Sequence, residues 1–420
     1  MLSKTVLGRA GVRHRELTFP FNSPFLLGLQ VFRSCKIRLS ALNICGDFFF
    51  FFPFLSIILI EKLSMCSSED FNFEDMDACF TAFDKDCDGY LSIQEFESIC
   101  QALFRNDSGR VYGFDYNQLR ETFDIFDFDK DGQISRDEFA YCWNYWIKTI
   151  VRPVSALLII DVQNDFISGS LSISQCSAQQ NGLEVIEPIN HLLETVSFDA
   201  IFYSLDWHPS DHVSFIDNLK NRKVHSSSPV SAEEAQTYDT VIFDGPHLMH
   251  QRLWPRHCVQ GSWGAELHKD LKVVENSVKV YKGTNPDVDS YSVFWDNKKL
   301  TQTTLVSQLK SKYATDVYVC GLAYDVCVGA TAADALSIGY RTILIDDCCR
   351  GVDLADIEKT KNTVLNQYGV IVNADQVKGM VEGRDRRPEL GYKLALELKR
   401  KREEEVTNTC SVEEENCTED

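Results

Sequence analysis

The 420-residue chain is short of positive charge: 42 Lys and Arg stand against 62 Asp and Glu, a formal charge of −20. That deficit argues against nucleic acid as a partner, because phosphate binding needs a basic footprint. Acidic chains hold cations or are simply soluble. The sequence also lacks an apolar run long enough to span a bilayer. The run Phe48–Ile60 has 13 residues, with Pro53 inside it and Asp47 before it, against the roughly 18–20 that a span needs. Glu61, Lys62 and Leu63 follow it, where a signal peptide would place small residues. No membrane contact is therefore expected. The 15 cysteines form no even-spaced framework and no pair of CxxC motifs. That excludes a disulfide scaffold and a zinc ribbon, and reads as reduced thiols in a reducing compartment. A cytoplasmic protein is expected. Lys399–Arg402 leaves a nuclear signal open, although a solvated charge run is the commoner explanation.

Hydrophobic residues at 44% supply a folded core, and the length suits two or three domains. The chain changes character along its length. Residues 1–64 are basic and apolar and read as a variable extension outside the fold. Residues 65–150 are acidic, aromatic and helical in period. Residues 151–387 alternate short apolar runs (ALLIIDV, AIFYSLD, VYVCGL, RTILIDD) with helical patterns, which implies βαβ units and a parallel sheet buried on both faces. Residues 388–420 read as a charged helix with an acidic tail, exposed and partly disordered.

Within the second segment, Asp84, Asp86, Asp88, Tyr90 and Glu95 stand at the spacing of a twelve-residue calcium loop, with Gly89 at its sharp turn and Ser92 at the water-assisted position. Calcium is a hard cation that wants many oxygens. Three Asp side chains, the Tyr90 carbonyl and a bidentate Glu95 supply them. Asp127, Asp129, Asp131, Gln133 and Glu138 repeat the pattern around Gly132. Ile93 and Ile134 are expected to form the short bridge between paired loops. Met76, Phe80 and Phe83, then Phe96, Ile99 and Leu103, and the corresponding residues around the second loop, give helical flanks. The segment resembles the EF-hand family, which implies two bound Ca²⁺ ions.

The third segment carries four chemical features. Asp161 ends the run ALLIIDV, at the carboxyl end of a strand where open α/β sheets place ligands; a turn residue there is the plainer alternative. Cys327 follows the strand VYVCGL near a helix start. The helix dipole there favours thiolate, and free backbone N–H groups bind an oxyanion. Lys282 closes another short strand, and a lysine between a carboxylate and a thiol would stabilise both anions. Asp206 and His208 in YSLDWHPSDH, with His212 beyond them and His257 in LWPRHCVQG, make a carboxylate–imidazole set suited to Zn²⁺, Fe²⁺ or Mn²⁺. Residues 216–250 are charged, Ser-rich and unassigned, an insertion whose effect on substrate access stays open.

Read together, residues 153–385 resemble the isochorismatase-like cysteine hydrolases and, within them, the nicotinamidases or pyrazinamidases. The resemblance implies an α/β fold with a doubly wound, mostly parallel sheet and helices on both faces, here preceded by an all-α EF-hand pair. It implies an Asp–Lys–Cys triad of Asp161, Lys282 and Cys327. It implies metal ligands Asp206, His208 and His257, with His212 in the place of a fourth, and Zn²⁺ as the expected ion. The family's oxyanion turn, with a cis peptide, falls on Leu322–Ala323, making Ala323 and Cys327 N–H the donors. Phe166 and Trp254 match its ring-packing aromatics. The implied activity is hydrolysis of nicotinamide to nicotinate and ammonia through a cysteine thioester, in NAD salvage. Two alternatives stand beside it: a related cysteine hydrolase acting on another amide or a vinyl ether, and an inactive calcium-binding adaptor. Homo-oligomerisation is left open.

Overall fold

The computed structural model describes residues 73–245 and 247–416; the extension at 1–64 and the last four residues lie outside the described residues. The first helices are α1 (Phe73–Phe83), α2 (Ile93–Leu103), α3 (Tyr116–Phe126) and α4 (Arg136–Tyr141). Local sequence sets their starts. Ser92 and Ser135 each cap a helix by accepting from the N–H three residues on, while Glu95 and Glu138 reach back to the cap N–H, a reciprocal capping box. α4 widens into a π-turn at Cys142–Ile147 and continues over Lys148–Val151. Trp143 and Trp146 of that turn are both buried, in one core with Phe80, Phe96, Phe126 and Phe139.

The two calcium loops pair through Leu91 and Ile134, each donating its N–H to the other's carbonyl at 2.9 Å. The expectation for Ile93 is corrected: Leu91 holds the bridging position and Ile93 is the first residue of α2. Ile93 lies just past Ser92, where the chain has already turned into the helix.

The larger part is built on six parallel strands. They are β1 (Ser155–Ile160), β2 (Ala200–Asp206), β5 (Val278–Lys282), β6 (Asp316–Leu322), β7 (Arg341–Arg350) and β8 (Val370–Val372). Their spatial order is β5-β2-β1-β6-β7-β8, every neighbouring pair parallel. Every residue of β1 and β6 is buried, as continuous apolar runs in a covered parallel sheet require. The chain winds outward from β1 through β2 to β5, then returns beside β1 as β6. The junction of β1 and β6 is therefore the topological switch point, where doubly wound sheets open a crevice at their carboxyl ends. The connecting helices are α5 (Ile186–Thr195), α6 (Leu305–Ser311), α7 (Gly329–Ile338), α8 (Leu354–Asn366) and α9 (Ala374–Val381).

The unassigned insertion is an ordered antiparallel hairpin of β3 (Thr240–Phe243) and β4 (Met249–Arg252). It has a small core of its own from Val213, Leu219, Val241, Phe243 and Leu253. The final helix, α10 (Pro388–Asn416), departs from the exposed tail expected. Leu390, Tyr392, Ala395 and Leu398 on its first half are buried. Its run of charges hid an apolar stripe. No helix among the described residues is long and apolar enough to cross a membrane.

Candidate active site and metal centres

Four sheet strands deliver their carboxyl ends to one buried cluster. Asp161 directly follows β1 in the left-handed region at φ +47°. Such a backbone for a fully buried Asp stores strain of the kind that gathers at functional sites. Ser204, inside β2, holds it there: its hydroxyl accepts from Asp161 N–H at 3.1 Å and donates to Asp161 Oδ1 at 2.5 Å. Lys282, the last residue of β5, is 1% exposed. Its Nζ stands 2.9 Å from Asp161 Oδ2 and 2.5 Å from Asp206 Oδ1. The same ammonium donates to the Ser290 carbonyl at 2.9 Å and lies 3.3 Å from Cys327 Sγ. One buried cation thus serves two carboxylates and a thiol.

Cys327 lies in a π-type turn, Tyr324–Val328, that leads into α7 with Ala323 as its N-cap. The peptide Leu322–Ala323 is cis. The helical backbone begins at Tyr324 rather than near Cys327, so the thiol sits inside the first turn. Burial pushes the Cys327 thiol well above its usual range; Lys282 opposes this, and the negative charge of Asp161 and Asp206 adds to it. Desolvation works against the helix dipole here, and taking the thiol proton calls for a base. Asp161 is placed to be that base. Burial raises its carboxyl, the Lys282 ammonium lowers it and the Asp206 charge raises it.

Beside this cluster lie Asp206, His208 and His257, all buried, with donor atoms within 4.8 Å of one another. His208 Nε2 is 3.4 Å and His257 Nε2 is 3.8 Å from Asp206 Oδ2. Tetrahedral ligands bound at about 2.0–2.1 Å stand about 3.3 Å apart, so the set fits a divalent metal ion. The other ring nitrogens are tied back. His208 Nδ1 contacts the Gly283 carbonyl at 2.9 Å, His257 Nδ1 the Pro255 carbonyl at 2.7 Å, and His212 Nδ1 the Ser214 hydroxyl at 2.8 Å. The carbonyl contacts of His208 and His257 fix the tautomer that leaves Nε2 for a metal, while His212 Nδ1 also receives the Ser214 N–H at 3.4 Å. His212 Nε2 is buried with no hydrogen-bond partner, and its ring stacks on His208 at 4.0 Å. Burial holds His257 down to about 4 and His212 to about 2, with His208 adding to both. Burial works against the Asp206 carboxylate, but Lys282, His208 and His257 keep it well below its usual range. Gly283, at φ +63°, is required here, because a Cβ would come within 2.3 Å of His208 Cε1.

Phe166, Trp254, Ala323 and Cys327 line one pocket with Asp206 and His257. Sequence reasoning missed further members. Tyr291 and Asp289 also line it, and Tyr291 Oη accepts from Trp254 Nε1 at 3.3 Å. Asp289 Oδ2 accepts from Gln251 of the insertion at 2.8 Å, and Asp289 groups with His208 and His212 within 4.8 Å. Tyr238, also of the insertion, packs edge-on against Trp254 at 5.8 Å, so the hairpin backs the pocket wall. Ser204 had left a readable signal, a hydroxyl inside an otherwise apolar strand. His225, His247, His250 and His268 join no such group among the described residues.

In the helical part, Asp84, Asp86 and Glu95 form one carboxylate group and Asp127, Asp129 and Asp131 another, each with donor atoms within 4.8 Å. Asp84 Oδ1 and Asp127 Oδ1 are buried without any partner, which a cation would supply. Gly89 and Gly132 both take φ +88° and donate their N–H groups to Asp84 Oδ2 at 3.2 Å and Asp127 Oδ2 at 3.0 Å. Asp88 and Glu138 of the expected sets lie outside these two groups. Both loops fit Ca²⁺.

Two family models match the chain: an isochorismatase domain over residues 155–376 and an EF-hand domain pair over residues 73–142. A nicotinamidase of Escherichia coli is 36% identical over 204 residues, covering 48% of this chain and 85% of that protein. A nicotinamidase of Saccharomyces cerevisiae is 33% identical over 206 residues, covering 47% of this chain and 89% of that one. Among solved structures, an Acinetobacter baumanii nicotinamidase/pyrazinamidase shares 34% identity, covering 53% of this chain and 98% of that chain at a TM-score of 0.45. The chain belongs to the isochorismatase-domain family, in the company of its nicotinamidases, and carries an EF-hand domain pair ahead of that domain.

Proposed function

We propose that the chain hydrolyses nicotinamide to nicotinate and ammonia, as a step of NAD salvage, with Asp161, Lys282 and Cys327 as its catalytic residues. The observation that carries the assignment is Lys282, whose ammonium touches Asp161, Asp206 and Cys327 at once. Asp161 takes the Cys327 proton. The sulfur attacks the carboxamide carbon, and the C–S bond forms as the carbonyl oxygen gains negative charge. Ala323 and Cys327 N–H, at a helix start where backbone donors lack intrahelical partners, receive that oxyanion. Asp161 returns its proton to the departing nitrogen, which leaves as ammonia. Water, deprotonated by Asp161, then cleaves the thioester and releases nicotinate. Phe166 and Trp254 flank the ring, and Tyr291 fixes the Trp254 indole.

Asp206, His208, His257 and His212 hold the divalent ion, for which a set of one carboxylate and three imidazoles favours Zn²⁺, with Fe²⁺ or Mn²⁺ as the alternatives. When bound it supplies a Lewis-acid site beside the ring. The two EF-hand loops hold Ca²⁺. The domains divide at about residues 64, 150 and 387, and the protein works in the cytoplasm.

Ammonia release from nicotinamide by the full chain, beside Cys327→Ala and with a transition-metal chelator, tests the assignment. Turnover lost in Cys327→Ala and on chelation supports it. Turnover unaffected by chelation favours a metal-independent cysteine hydrolase, and no turnover by metal-loaded protein favours a hydrolase acting on another amide or the calcium-binding adaptor.

A further inference from the structure

The last helix sits between the two halves of the molecule, with partners on both. Toward the EF-hand pair, Ala395 and Leu398 belong to the same core as Phe96, Phe126 and Trp146. Gly391 lets the Phe104 ring approach so closely that a Cβ would meet it at 2.3 Å. The Gly391 carbonyl accepts from Trp146 Nε1 at 2.8 Å in a buried bond. Tyr392 donates to Glu121 of α3. Arg402 donates to the Ile125 carbonyl at 3.1 Å and lies 4.3 Å over the Phe128 ring. Toward the sheet, Leu390 belongs to the core of the parallel domain, Tyr392 packs edge-on against Tyr368 at 4.8 Å, and the Glu397 carboxylate abuts Gly339, the C-cap of α7. Helix α10 thus fills the place in which an EF-hand pair receives an amphipathic target helix.

Both calcium loops reach α10 through one side chain. Glu95, which closes the first loop, is followed by Phe96, whose ring stacks on Trp146 at 5.8 Å. Asp127, which opens the second, is preceded by Phe126, whose ring lies 5.4 Å from the same indole. Trp146 in turn holds Gly391. Drawing Glu95 and Asp127 onto an ion fixes the backbones that carry Phe96 and Phe126. Their packing sets the Trp146 indole, and its N–H sets the seat of α10. A chain of packed rings ending in one buried hydrogen bond is a contiguous physical route of the kind that carries coupling.

We infer that the EF-hand pair is a calcium-dependent clamp whose target is this chain's own helix α10, so that calcium at the two loops holds α10 against the isochorismatase domain. The inference rests on the calcium reading of the loops. The groove is filled from within, and an outside helix must displace α10 to enter it.

Hydrogen–deuterium exchange of residues 388–405 in the full chain, with calcium and with a calcium chelator, tests the clamp, and calcium binding is followed by titration calorimetry on the same sample. Calcium is expected to slow exchange in α10 by up to about a hundredfold for each coupled loop at a concentration a hundred times the loop Kd. Trp146→Phe keeps a ring but removes the donor. It is expected to retain calcium binding and to reduce the calcium-linked protection of α10 by about fivefold, the worth of one net hydrogen bond. The double variant Glu95→Gln, Glu138→Gln is expected to leave α10 exchanging at the calcium-free rate whether or not calcium is added. Calcium bound without slower exchange in α10 overturns the clamp and leaves the calcium reading intact. No calcium bound overturns both. A peptide of an unrelated amphipathic helix that binds the calcium-loaded full chain without exposing α10 also overturns it.

Discussion

Lys282→Met removes the one cation that two buried carboxylates and the reacting thiol share. Asp161 and Asp206 then face each other without it in a site closed to water. The Lys282–Asp161 contact is 2.9 Å, and two charges even 4 Å apart interact by about 4 kcal/mol at an effective dielectric of about 20. Losing that attraction shifts the ratio of ionised to protonated Asp161 by about a thousandfold, at 1.4 kcal/mol per factor of ten. A protonated Asp161 cannot take the Cys327 proton, so kcat/KM for ammonia release should fall by between tenfold and about a thousandfold near neutral pH. Folding stability should fall by about 3–5 kcal/mol, the usual result of breaking a buried ion pair. The assay is steady-state ammonia release, with thermal unfolding followed by circular dichroism to show that the variant is folded at the assay temperature. A folded Lys282→Met enzyme within tenfold of the parent's kcat/KM would refute the reasoning.

Three further outcomes follow from the same geometry. Ser214→Ala removes the hydroxyl that orients the His212 ring and should weaken binding of the transition metal by about 10–100-fold; unchanged affinity in a chelator competition would mean that His212 is no ligand. Asp289→Asn keeps the shape but not the charge of the carboxylate beside His208 and His212, and it should lower metal affinity over the same rough range while calcium binding to the EF-hand loops stays as it was. Tyr238→Ala takes away the edge-on ring behind Trp254, an aromatic pair worth about 1 kcal/mol. It should raise KM for nicotinamide about fivefold at nearly constant kcat, and an unchanged KM would show that the insertion does not shape the pocket.

Much of the architecture is readable in the sequence because strands buried on both faces leave continuous apolar runs, and the polar residue that breaks each run marks its end. Asp161 and Asp206 stand at such ends, and Lys282 closes the half-exposed edge strand β5; the order β5-β2-β1 brings the three together, and the switch point adds Cys327 after β6. The calcium loops are equally readable, since ion geometry fixes their spacing. The bridging residue was legible too, because Leu91 stands seven residues after Asp84 as Ile134 does after Asp127, and Ile93 lies two places too far along. What stayed hidden depends on packing across the chain. Helix α10 looked exposed because Leu390, Ala395 and Leu398 are few among many charges, and only the two cores on either side show why they are buried. In the insertion's hairpin, β3 is apolar and mostly buried but only four residues long, and β4 is polar and half-exposed, so neither leaves a clear pattern. The helix dipole at Cys327 was legible, but the burial that opposes it, among Asp161 and Asp206, comes from strands far apart in the chain.

The central claim is a covalent thioester on Cys327. Intact-protein mass spectrometry of the enzyme, acid-quenched during turnover of nicotinamide and followed by peptide mapping, tests it most directly. The account predicts a nicotinoyl adduct on Cys327 that disappears once substrate is exhausted and never forms in Cys327→Ala. A nicotinoyl group on a different residue, or ammonia release at the full rate by Cys327→Ala, would contradict it.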